Sequence, residues 1–156
     1  MFCQVFVNFQ SVVAISETQK LAIIDNCEAI RENLKNVQKL DSRMRVFFGQ
    51  HFEAILSKFI IPLNLRLVEN SLSNTNLIEN QNEFASKKTA FAADFISYQQ
   101  ELENLMMLDC KSNPEKFYEK IEVVRGKREI VFNDVARMKK LITKNMQLVE
   151  KMKAEV

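Results

Sequence analysis

At 156 residues the chain is long enough for one domain with a usable core, and it carries only two Gly and two Pro. So little punctuation excludes sheet-rich and turn-rich folds and leaves long helices, which need almost none. The net charge is only +2, and nothing approaches the run of about 18 apolar residues that marks a membrane span.

Residues 1–16, MFCQVFVNFQSVVAIS, contain no Lys, Arg, Asp or Glu, ahead of a chain that is 27% charged. Two readings stay open. The stretch lacks the basic start of a secretory signal, and Gln4, Asn8 and Gln10 dilute its apolar run. Yet Ala14 and Ser16 stand at small-x-small spacing just before the charged ETQK, as at the end of a signal whose start lies upstream of Met1. The other reading is a helix start that packs Phe2, Val5, Phe6 and Phe9 on the bundle. Residues 17–156 then form a single helical-bundle domain.

From Glu17 the apolar residues Ile23, Cys27, Ile30, Leu34 and Val37 step by four and three, the seam of a helix packed lengthwise on another. The seam continues less cleanly through Met44, Phe48, Phe52, Ile55 and Phe59. Asp41 and Ser42 are good N-caps and predict a kink or a helix end. Pro62 removes a backbone donor and predicts a bend or break near it. The Asn- and Ser-rich NSLSNTN, residues 70–76, reads as a turn. A second helix follows over about 76–109, with the stripe Leu77, Phe84, Phe91, Phe95, Tyr98, Leu102 and Leu105. Asn113 and Pro114 then suit the cap and first residue of a last helix, about 114–154, with Glu115 at its positive end. Its seam runs Phe117, Ile121, Val124, Val131, Val135, Met138, Ile142, Val149 and Met152, interrupted by Arg128 and Asn145. The expected product is all-α: an elongated antiparallel bundle or coiled coil of three long helices, four if the first arm breaks near residue 41.

Cys27 lies on the first seam and Cys110 at the end of the second helix. In a hairpin turning near residue 72, position 110 falls opposite about position 34, roughly 10 Å from Cys27. A kink at Asp41 or Pro62 would shorten the first arm toward the Cα separation of about 7 Å that a disulfide tolerates. A bridge would close a loop of more than 80 residues, worth on the order of 4 kcal/mol. Two buried thiols acting as small hydrophobes are the alternative. Cys3 is the odd one out.

Three stretches, SRMRVFFGQHFE (42–53), FIIPLNLRL (59–67) and DCKSNPEKFYEKIEVVRGKR (109–128), resemble a loose group of small helical exported proteins of unknown function from candidate-phyla, Saccharibacteria-like bacteria. The resemblance spans roughly residues 25–140. It implies an envelope location and a Cys27–Cys110 bridge, and it brings no catalytic residue and no ligand.

The chemistry-bearing residues are sparse. The one histidine, His51, has Phe47, Phe48, Ala54 and Ile55 at helical spacing, so it lacks the partners of a metal or acid–base site and reads as a partly buried or capping imidazole. No Cys lies near another Cys or near His51, Gly49 and Gly126 are isolated within helical pattern, and Glu28/Glu32 and Glu79/Glu83 read as solvated faces. The two glycines suit a close helix contact or a local bend. We therefore expect no catalytic, cofactor or metal site, and a protein that is not an enzyme. Residues 1–110 hold 10 Lys and Arg against 13 Asp and Glu, whereas residues 111–156 hold 12 against 7. The basic residues concentrate in 125–144: Arg125, Lys127, Arg128, Arg137, Lys139, Lys140 and Lys144. Such a stretch suits nucleic acid, an anionic membrane surface or an acidic partner, but Ile130, Val131, Phe132, Val135 and Met138 thread through it at core spacing, so a solvated face is the plainer reading. The expected function is a structural or protein-interaction bundle of a bacterial cell envelope, with an unknown protein partner and possible homo-oligomerisation. The alternatives are a cytosolic coiled-coil adaptor, or a binder of anionic surfaces through 125–144.

Overall fold

The computed structural model describes residues 15–72 and 74–154. The expectations for residues 1–14, including Cys3 and the packing of Phe2, Val5, Phe6 and Phe9, lie outside the described residues.

Helix α1 spans Glu17–Asp25 and opens on a capping box. Ser16 Oγ accepts the Gln19 backbone N–H at 3.2 Å, and Gln19 Oε1 accepts the Ser16 N–H at 2.8 Å. Ile15, just outside this cap, belongs to the core. Helix α2 spans Cys27–Ile55, a π-helical segment Leu56–Ile60 follows, and α3 spans Ile61–Glu69. Together these elements make the first arm. Helix α4, Thr75–Met107, is the second arm, and α5, Pro114–Ala154, is the third. No strand occurs among the described residues.

The breaks are not where the cap residues suggest. Asp41 stands in the middle of an uninterrupted α2 and is buried, so the expected kink is absent. Interior burial gives Asp41 partners that a cap would otherwise supply. The first arm breaks instead at Asn26, whose backbone leaves the helix (φ −102°, ψ 14°) and whose Nδ2 donates to Ala22 O at 2.9 Å. Pro62 is the second residue of α3, straight after the π segment. A proline there cannot donate to the carbonyl four residues back, and a π turn is one way a helix absorbs that loss. The extra residue also turns the apolar stripe, and Phe59, expected on the seam, is 67% exposed.

The hairpin between the first two arms ends α3 with a Schellman pair. Ser71 N–H reaches Val68 O at 3.0 Å and Leu72 N–H reaches Leu67 O at 2.8 Å. Ser71 takes the left-handed conformation this motif requires, φ 57°. Asn74 then caps α4, its Oδ1 accepting from Asn76 and Leu77 N–H. Between α4 and α5, Asp109 organises the turn by accepting from the N–H groups of Lys111 and Ser112 and from the Ser112 hydroxyl. Those bonds, the Ser112 hydroxyl first, hold its carboxyl below the usual aspartate range.

α4 is the spine, packing antiparallel along α5 on one side and against α2 on the other. All seven residues of its expected stripe are buried. From the middle of the bundle the rings of Phe52, Phe91, Phe95 and Tyr98 follow one another at 5.7–6.2 Å, mostly edge to face. On α5, Phe117, Val124, Val131, Val135 and Met138 are buried as expected, whereas Ile130 and Phe132 face solvent. Neither glycine marks a close helix contact, because a Cβ at Gly49 or Gly126 would meet nothing within 4 Å.

Candidate interaction site and the buried ion cluster

The seven basic residues of 125–144 do not form one surface patch. Arg128 turns inward and chelates Asp41 of α2, Nε to Oδ2 at 2.6 Å and Nη2 to Oδ1 at 2.9 Å. Tyr98 of α4 donates its hydroxyl to the same Asp41 Oδ2 at 2.6 Å. One carboxylate thus ties all three arms. Asp41 is 2% exposed and Tyr98 1%, while the guanidinium lies 5.0 Å over the Phe132 ring, closer to solvent. Burial, and then the hydrogen bond to Asp41, push the Tyr98 phenol far above its ordinary pKa, and the Asp41 contact raises Arg128 as well. The Tyr98 hydroxyl therefore stays protonated near neutrality and remains a donor. That suits a structural clamp and not a proton-transferring pair.

Others in the stretch are also engaged. Arg125 pairs with Glu122 on its own helix, and Lys127 Nζ donates to Ser97 Oγ of α4 at 2.8 Å. Lys139 Nζ sits 5.6 Å over the Phe48 ring of α2. Arg137 stands beside the buried Asp134, and Lys140 and Lys144 are exposed. The sequence pattern concealed this division: Arg128 interrupts an apolar seam, and that was the available sign that it points inward.

Cys27 and Cys110 come together as a disulfide, Cα–Cα 5.7 Å, with both residues buried. The expected mismatch of register disappears because Arg31 Nη2 already meets Met106 O at 3.1 Å. Four residues further along each arm end at Cys27 and Cys110. The π segment advances less per residue, which shortens the first arm and shifts register in this direction, and the extended Leu108 (ψ 140°) lets the chain run past the end of α4. Ion pairs Lys20–Glu115 and Lys111–Glu28 lie at the same end.

A further cleft lies at the opposite end. Leu63, Leu67, Leu72, Val149, Met152 and Lys153 line a cleft of about 430 Å³ between α3 and the end of α5. Along α2, Leu40, Val46 and Phe47 are exposed, and His51 lies stacked on Phe47 with ring centroids 6.0 Å apart. The imidazole is thus exposed on a helix face, neither partly buried nor capping. Among the described residues no three His, Cys, Asp or Glu side chains cluster as metal ligands. Likewise, no helix there is long and apolar enough to cross a membrane.

No protein-family model, no curated protein and no solved structure matches the chain.

Proposed function

We propose that this protein is a non-enzymatic structural or protein-interaction bundle of a bacterial cell envelope. The observation that carries the reading is the buried Cys27–Cys110 bridge, which joins the start of α2 to the loop before α5. Disulfides persist in oxidising compartments and are uncommon in cytosolic proteins. The resemblance to small exported helical proteins points the same way. In this reading the bridge replaces loop rigidity at one end, and long helix faces carrying exposed Leu40, Val46 and Phe47 are presented to a protein partner or a second copy.

Peptide mapping of the natively expressed protein without reduction tests this directly. A linked Cys27–Cys110 peptide, recovered from the envelope fraction, is the expected result. Free thiols in a cytosolic fraction would overturn it and leave a coiled-coil adaptor.

Binding of anionic surfaces is the second reading, favoured by the exposed Arg137, Lys140 and Lys144. It loses force because Arg125, Lys127 and Arg128 are engaged within the molecule. Binding to DNA or anionic vesicles that weakens steeply with salt would support it, and no binding at low salt would remove it.

A further inference from the structure

Between residues 33 and 68 the first arm carries two acidic residues, and both are taken. Asp41 is buried against Arg128, and Glu53 pairs with Lys88 of α4. The same span carries Lys35, Lys39, Arg43, Lys58 and Arg66, all exposed. None of these five pairs with a carboxylate among the described residues. Large apolar side chains stand among them: Leu40 is 58% exposed, Phe47 64% and Phe59 67%. Leu40 and Phe47 are seven residues apart and so share a face. In a regular helix Phe59 would stand about 120° round from Phe47. The wider π turn of Leu56–Ile60 brings it back toward the Phe47 side.

A partner helix packed here would need an apolar seam, but Arg43 and Gln50 hold the seam positions between Leu40, Phe47 and Ala54. A second copy would set five unpaired cations against five more. A fluid surface needs neither register nor a continuous seam. It needs apolar side chains set among cations that reach anionic headgroups. We propose that the outer face of the first arm, residues 35–66, lies on an anionic lipid surface. Leu40, Phe47 and Phe59 enter the headgroup layer, and the five cations meet lipid phosphates. The contact runs roughly 45 Å along the arm. The proposal rests on the envelope reading for the supply of such a surface, and it makes lipid, in place of a protein, the occupant of this face. It is separate from the 125–144 stretch, which lies on α5.

The test is co-sedimentation of the oxidised full chain at low salt with vesicles of equal parts phosphatidylglycerol and phosphatidylcholine, beside vesicles of phosphatidylcholine alone. Binding to the anionic vesicles only is expected. Arg43→Glu with Lys58→Glu should weaken it by at least about 30-fold, and Lys140→Glu with Lys144→Glu on α5 far less. The chain contains no Trp, so Phe47→Trp reports the surface directly. Its emission should shift to the blue on anionic vesicles, while that of Phe132→Trp on α5 stays put. No binding to the anionic vesicles, equal binding to the neutral ones, or a larger loss from the α5 pair would overturn the proposal. An unmoved emission from bound Phe47→Trp would do the same. So would a dimer that Phe47→Ser converts to monomer, which gives the face to a second copy. Should the charge-reversed variant fail to fold, Phe47→Trp decides. A chain with Cys27 and Cys110 linked that ignores vesicles sinks the lipid surface alone, whereas free thiols in the cytosol sink the envelope reading.

Discussion

Arg128 shows how one side chain can be misassigned from pattern. It sits within a run of cations, yet its guanidinium spans the bundle to a 2%-exposed Asp41 that also holds Tyr98. Removing one partner of such a cluster strands a buried charge, which costs more than the bond itself contributed. Arg128→Met should therefore lower stability by about 2–3 kcal/mol, below the fully buried range because the guanidinium is partly wet, as read by urea unfolding. Tyr98→Phe should cost about 1 kcal/mol, since Asp41 keeps its arginine. Ser71 is a second informative residue, held at φ 57° by the Schellman turn. Glycine occupies that conformation without a Cβ penalty, so Ser71→Gly should raise stability by about 0.5–1 kcal/mol in the same assay.

At the level of elements, α5 is 41 residues long and carries Gly126 in its first half, exposed, with no neighbour within reach of an added Cβ. Nothing in the packing requires glycine there. Gly126→Ala should therefore stabilise by roughly 0.5–1 kcal/mol through helix propensity alone, seen as a higher unfolding midpoint. The start of α1 offers the reverse case. Ser16 makes a reciprocal box with Gln19, and Ser16→Ala should cost about 1 kcal/mol in global unfolding. A chain cut between Ser16 and Glu17 would lose the same cap, together with the core contact of Ile15.

For the whole molecule, the bridge closes a sequence separation of 83 residues. In the chain-entropy account such a loop contributes about 4 kcal/mol, so the Cys27→Ser, Cys110→Ser double variant should lose about that much. Calorimetry of the variant beside the oxidised wild type measures the loss. The effect belongs to the whole fold, because the cross-link restricts the unfolded chain across both arms and the hairpin between them.

The all-α class, the turn at 70–76, the limits of α4 and α5 and every buried residue of the α4 stripe were legible in the sequence, because helical periodicity and turn chemistry are local properties. What remained was decided by tertiary structure. Whether Asp41 kinks a helix or sits buried within one depends on whether Arg128 and Tyr98 arrive from two other helices. Phe59 and Phe132 turn to solvent because register and a π turn set the face each helix presents. Cys27 and Cys110 meet for the same reason: their separation is the sum of small offsets along two long arms, and only the packed molecule determines that sum.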